Sequence, residues 1–188
     1  MKPTIGLDID EVLLSTVPRW LEIYSQRTGF DYKNADVWSH YLPEVFEVTV
    51  PEVMDIFKEV WLDVSKISLT EKHLDSTVQR LRLHAKVVIL TNNPYLQARA
   101  RLDEEGITYD EYRLHEPWNY DKSLDDDIDV FVDDRPQLAH SCMEKGKRML
   151  LYDRPWNRRF VAKRPVMRIF SLEQAITYLD ILKEVEAL

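Results

Sequence analysis

Ile5-Gly6-Leu7-Asp8-Ile9-Asp10-Glu11-Val12 is the stretch that decides the fold class. Residues 4–9 form a short apolar run that ends in acids, the pattern of a buried strand. A buried strand that delivers acids at its C-terminal end is the usual geometry of an α/β active site. In extended chain, residues i and i+2 point to the same side. Asp8 and Asp10 can therefore face one reacting atom while Ile9 turns into the core. One carboxylate can attack as a nucleophile and the other can move a proton.

A second run repeats the theme. Val130-Phe131-Val132-Asp133-Asp134-Arg135-Pro136 is again an apolar strand ending in acids. Four carboxylates brought together repel strongly unless a cation sits among them. Mg²⁺ takes oxygen ligands and is held by a few carboxylates plus substrate phosphate. The ligand candidates are Asp8, Asp10, Asp133 and Asp134, together with a backbone carbonyl. No His/Cys cluster suited to zinc is present.

Between and beyond these runs, strands alternate with helices. Pro18 to about Thr28 is expected to be a helix, ended by Gly29. Glu52 to about Val64 is a second, with Pro51 at its start. Thr70 to Leu83 is a third, with Thr70 as its N-cap. Lys86–Thr91 has the β-branched character of a strand. Tyr95–Glu105 is helical, Glu111–His115 a short strand, Pro136–Lys145 a helix, Arg148–Tyr152 a strand, and Ser171 starts the last helix. This order implies right-handed crossovers and a mainly parallel sheet. The expected fold is α/β, a Rossmann-like three-layer α/β/α sandwich. Residues 15–69 hold helices but no convincing strand, and are expected to form a small helical cap inserted after the first strand. Residues 1–14 and 70–188 then form the catalytic core.

Two further positions carry chemistry in this frame. Thr91 ends a strand before Asn92-Asn93-Pro94, and a hydroxyl with free N–H groups at a strand-to-helix turn can hold a phosphate oxygen. Lys122, just before the Asp133 strand, can offset the charge of an attacking carboxylate and of a phosphate. Taken singly, a strand-end Thr caps the next helix, and a loop Lys is a solvated surface group.

The bulk properties narrow the classes. With 188 residues and 45% hydrophobic content, the chain can bury one substantial core plus a small second unit. No apolar run is long enough to span a bilayer. The start Met1-Lys2-Pro3-Thr4 leads straight into a strand and leaves no room for a signal peptide, so a cytoplasmic setting is expected. The lone Cys142 fits reducing surroundings and ordinary packing. A net charge of −8 argues against stable nucleic-acid binding. The stretch from Lys147 to Arg168 nevertheless holds eight Lys/Arg and one Asp. It is either a basic face that balances acidic neighbours or an attractor for a phosphorylated substrate. No oligomeric state follows from these properties, and a homodimer stays open.

The ordered set resembles the haloacid dehalogenase superfamily of phosphohydrolases: strand with D-x-D, strand with Thr, Lys, strand with Asp-Asp. The resemblance implies that Asp8 is the nucleophile forming an aspartyl-phosphate and Asp10 the general acid/base. It implies that Thr91, with Asn92 beside it, and Lys122 bind phosphate, and that the acids hold Mg²⁺. A narrower likeness covers Asp8–Leu13, Thr91–Pro94, Asp121–Ser123, Val132–Pro136 and Leu151–Arg158. These segments look like the 5′(3′)-deoxyribonucleotidase family, whose small cap lies between the first two motifs. That likeness implies a nucleoside monophosphate as the small phosphorylated substrate, with Trp38, Tyr41, Phe46 and Trp61 as cap contacts to the base. The same aromatics serve equally as cap core. Glu11 departs from the family pattern, standing where Gly is common, and Asn92 replaces a small Ser.

Other readings remain at this point. The substrate can be a different ester, such as a sugar phosphate or an oligonucleotide end. The chain can also be a non-catalytic Mg²⁺-binding module. A signalling receiver domain uses similar residues but in a different order.

Overall fold

The computed structural model describes residues 2–116 and 121–186. The chain opens with β1 (Thr4–Leu7) and β2 (Leu14–Ser15), then α1 (Thr16–Thr28), α2 (Leu42–Phe46), α3 (Val50–Leu62) and β3 (Ser68–Leu69). It continues through α4 (Leu74–His84), β4 (Lys86–Thr91), α5 (Leu96–Glu104) and β5 (Glu111–Leu114). The remainder is β6 (Val130–Asp133), α6 (Pro136–Lys145), β7 (Arg148–Tyr152), β8 (Val166–Ile169) and α7 (Leu172–Glu186).

Six strands form one sheet in the order β5-β4-β1-β6-β7-β8, and every pairing in it is parallel. Parallel strands are covered on both faces, which explains their nearly continuous apolar runs. Alternate residues divide between two cores. Ile5, Leu7, Val87, Ile89, Val130, Val132, Leu150 and Tyr152 pack with α4, α5 and α7. Val88, Leu90, Phe131, Met149 and Leu151 pack with α6, including Cys142. The result is the expected three-layer α/β sandwich. Gly6 leaves little room: a Cβ there would stand 3.2 Å from both Ile128 Cγ2 and Leu90 Cδ2, which would have to give by a few tenths of an ångström.

The order of strands positions the site. After β1 the chain builds outward through β4 and β5, then crosses to β6 on the other side of β1. That reversal opens a crevice at the carboxyl ends of β4, β1 and β6. Leu7 pairs with Ile89 on one side and Val132 on the other. The residue after Leu7 is Asp8 and the residue after Val132 is Asp133, so register alone puts these acids side by side. The Asp8 N–H donates to Val132 O at 3.0 Å, extending the ladder by one bond.

Residues between β2 and β3 form three α-helices and two short 3₁₀ turns. α1 and α3 share an apolar core of Trp20, Leu21, Ile23, Val53, Ile56 and Val60. The Trp20 indole donates to Val53 O at 3.2 Å. α3 starts with a reciprocal capping box between Thr49 and Glu52. The third helix of the sequence reading starts later than expected. Thr70 does not cap it: the Thr70 hydroxyl donates to Val12 O at 2.6 Å, and α4 begins at Leu74. Two other differences concern strands. Leu14–Ser15 and Ser68–Leu69 pair antiparallel at the two ends of the helical stretch between them. β8 adds a sixth strand to the sheet. Two-residue bridges, and a Val-Met-Arg-Ile run with an Arg in it, carry no usable periodicity.

Candidate active site

Four segments converge on the crevice. Lys122 sits on a short 3₁₀ turn before β6 and is only 1% exposed. Its ammonium lies 2.7 Å from Asp8 Oδ1 and 2.8 Å from Asp133 Oδ2. A buried Lys is costly unless paired, and here one cation is shared by two carboxylates. The neighbouring Asp121 fixes the turn by accepting from the Ser123 N–H at 3.0 Å, and Lys145 holds both Asp121 and Ser123.

One oxygen of each of Asp8, Asp133 and Asp134 lies within 4.8 Å of the others, and all three residues are buried. Asp133 is held well below the usual carboxylate range: burial opposes this, but Arg135 and Lys122 together outweigh it. Asp8 is raised, by burial and then by Asp133, against the pull of Lys122. Asp134 is also raised, well above the usual carboxylate range, by burial and by the charges of Asp133 and Asp8. Two buried acids that resist ionisation beside a third that is ionised form an all-oxygen donor set that fits a hard divalent cation. Asp134 is oriented from behind. Trp156 Nε1 donates to its Oδ2 at 2.7 Å, and Asn157 Nδ2 donates to its backbone oxygen at 2.8 Å.

The carboxylate of Asp10 stands outside this trio. Burial and the charge of Asp8 push it up to about 7, against hydrogen bonds from Asn93 and Thr16. A carboxyl in that range suits proton transfer near neutral pH. Thr91 is fully buried and its hydroxyl accepts from the Asn93 N–H at 3.0 Å, which leaves the hydroxyl proton available. Asn92 is held from two sides. Its amide donates to Glu116 O at 2.9 Å, and its Oδ1 accepts from Arg135 at 3.3 Å.

Glu11 lines the cleft and its charge adds to the repulsion felt by Asp10 and Asp134, but its carboxylate is engaged by the start of α1. It adopts φ 61°, the left-handed region that explains why Gly would be at home there. The side chain folds back, 4% exposed, and accepts from the Val17 N–H at 2.6 Å. It thereby caps α1, whose own N-cap residue Ser15 makes no side-chain bond. Burial pushes its carboxyl up to about 7.

Above the acids opens a cleft of about 730 Å³, much of its wall formed by apolar side chains between Thr16 and Trp61. Of the four aromatics picked from sequence, Tyr41 and Trp61 line it; Trp38 and Phe46 are not among the lining residues. Phe46 instead packs in an aromatic cluster with Trp20, Tyr24 and Tyr32. Trp61 stacks on Tyr95 at 5.7 Å between centroids. His40, Tyr95, Arg135 and Trp156 also line the cleft; the sequence reading assigned none of them a role. His40 is exposed at the mouth of the cleft and lines it. Much of the basic 147–168 stretch is paired within the molecule: Lys147 with Asp126, Arg154 with Glu11, Arg158 and Arg168 with Asp153. That pairing favours its reading as a charge-balanced face.

No protein-family model and no curated protein matches the chain. Solved structures do match in fold. A haloacid dehalogenase-like hydrolase from Streptococcus pneumoniae superposes with TM-score 0.67 at 11% identity, over 94% of this chain and 98% of that one. A protein described as a hydrolase of the same type from Bacillus subtilis, bound to magnesium, gives 0.61 at 12% identity over 95% and 99%. One assigned as a β-phosphoglucomutase from Thermotoga maritima gives 0.57 at 16% identity over 97% and 99%. The chain thus has the fold of the haloacid dehalogenase-type hydrolases. Among the described residues, no helix is long and apolar enough to cross a membrane.

Proposed function

We propose that this chain is a Mg²⁺-dependent phosphatase that works through an aspartyl-phosphate and takes nucleoside monophosphates. The observation that carries the reading is the single buried ammonium of Lys122 bridging Asp8 and Asp133, with Asp10 and Thr91 at the same strand ends. Asp8 Oδ attacks phosphorus, and the bond from phosphorus to the ester oxygen breaks as Asp10 delivers its proton to that oxygen. Asp10 then takes a proton from water, whose oxygen attacks the phosphorus and frees Asp8 and inorganic phosphate. Lys122 and the Thr91 hydroxyl steady the phosphoryl oxygens. A Mg²⁺ ion held by Asp8, Asp133 and Asp134 would offset the remaining negative charge. Residues 15–69 act as the cap that keeps water out. The mainly apolar cleft with Tyr41, Trp61 and Tyr95 supports a leaving group with a flat ring, as in a nucleoside.

A panel of 5′- and 3′-nucleoside monophosphates, sugar phosphates and phosphorylated oligonucleotides, with and without Mg²⁺, tests the reading. We expect Mg²⁺-dependent release of phosphate from nucleotides, abolished in Asp8→Asn with the fold intact. Turnover of another ester with no nucleotide turnover would remove the substrate assignment alone. Undiminished activity of Asp8→Asn would remove the nucleophile.

A further inference from the structure

Asn93 is nearly buried and lines the cleft. Its Oδ1 accepts the Tyr95 N–H at 2.9 Å. A backbone N–H can only donate, so the amide cannot be turned the other way round. Its Nδ2 therefore faces Asp10, donating to Oδ2 at 2.9 Å. An amide NH₂ cannot accept. The oxygen of Asp10 that it holds is the one without a proton, and any proton on this carboxyl rides on Oδ1. The Thr16 hydroxyl also lies beside Asp10, but a hydroxyl rotates between donor and acceptor and does not select an oxygen.

We propose that Asn93 is the positioning residue for proton transfer: by holding Asp10 Oδ2 it places the transferable proton on Oδ1, the oxygen left to a leaving group in the cleft. The inference rests on the assignment of Asp10 as the acid. In the step concerned, the bond from Asp8 oxygen to phosphorus forms and the bond from phosphorus to the ester oxygen breaks. The proton passes from Asp10 Oδ1 to that ester oxygen. Tyr95 serves both sides of the cleft here, since it fixes the Asn93 amide through its N–H and stacks on Trp61 through its ring.

The test compares two aromatic esters with Mg²⁺ present. 4-Nitrophenyl phosphate releases a stable anion that needs no proton, whereas benzyl phosphate releases an alkoxide that does. The quantity read is kcat/KM, which reports the phosphoryl-transfer step and not the later hydrolysis. Asn93→Ala should lower kcat/KM for benzyl phosphate by about tenfold or more, part of what a general acid contributes. For 4-nitrophenyl phosphate the loss should stay within about threefold. Asn93→Ser should show the same split, because a serine hydroxyl can still accept the Tyr95 N–H but is too short to reach Asp10. It also covers the case in which the alanine variant does not fold. Asp10→Asn is the reference and should separate the two esters more widely. If both Asn93 variants slow the two esters equally while Asp10→Asn separates them, Asn93 merely shapes the loop and the inference is wrong. If Asp10→Asn does not separate them, the acid assignment fails and takes the inference with it.

Discussion

Arg154 Nε donates to the backbone oxygen of Glu11 at 2.7 Å and lies 3.6 Å from its carboxylate. The guanidinium rests on the Tyr152 ring, 4.3 Å from its centroid. A residue from the end of β7 therefore clamps the turn that carries Asp10, and Glu11 passes the hold on to the first turn of α1. Glu11 is thus a joint between the sheet, the turn that carries Asp10 and the first of the helices between β2 and β3.

That joint has a measurable cost and return. A left-handed non-glycine residue costs about 1–2 kcal/mol, offset by a cap and a charge-assisted bond. Glu11→Ala keeps the strain and loses the contacts, so we expect a stability loss of about 2 kcal/mol. Glu11→Gly loses the same contacts but sheds the strain, and should lose only about half as much. Denaturant unfolding should rank wild type above glycine above alanine. Alanine as stable as wild type would mean that the side chain contributes nothing.

Lys122 gives a second, metal-linked expectation. Lys122→Met leaves Asp8 and Asp133 buried without their shared cation, which should cost about 3–5 kcal/mol without divalent metal. Added Mg²⁺ should raise the melting temperature of wild type, by about 2.7 kcal/mol of stability at a hundredfold excess over Kd. It should recover part of the loss in Lys122→Met and do little for Asp134→Asn. Equal melting shifts in all three proteins would show that the cation binds elsewhere.

The cleft wall separates the aromatic side chains singled out from the sequence. Trp61 lines the cleft and stacks on Tyr95, whereas Trp38 is not among the lining residues. Trp61→Phe should raise KM for a nucleoside monophosphate several-fold, with kcat changed by less than about twofold. Trp38→Ala should leave both constants within about twofold of wild type. Initial-rate kinetics on purified variants decide it, and a KM effect confined to Trp38 would reverse the assignment.

The strands and the acids at their ends were legible because they rest on period and register. A buried parallel strand is one continuous apolar run, and the residue that follows it lies at the carboxyl edge of the sheet. Asp8, Thr91 and Asp133 follow from that rule alone. Lys122 needed the family likeness, since a loop lysine has no pattern of its own. Asn93 and Trp156 stood inside the quoted motifs without a role: their parts depend on which way a side chain turns, toward Asp10 and toward Asp134. Glu11 could be flagged as unusual but not explained, because its partners Val17 and Arg154 are joined to it only by the fold. Trp38 and Phe46 were chosen by type, and a short insertion offers too little periodicity to tell a cleft-facing ring from a packed one.

Asp121 supplies a pH dependence with a definite sign. Burial would raise its carboxyl, but Lys145 and the Ser123 N–H and hydroxyl hold it down to about 2. In the unfolded chain it returns to about 3.9. A carboxyl depressed on folding adds stability above its unfolded value and loses it as pH falls toward its folded value. The window therefore lies between about pH 4 and pH 2. A shift of this size, discounted because the side chain is 33% exposed, is worth about 1–2 kcal/mol. Asp121→Asn should unfold more readily than wild type at neutral pH, and the gap should close on acidification through that window. The same substitution loosens the turn that carries Lys122, so activity should fall alongside stability. A constant gap between the two proteins from pH 7 to pH 2 would mean that Asp121 acts through its hydrogen bonds alone and not through its charge.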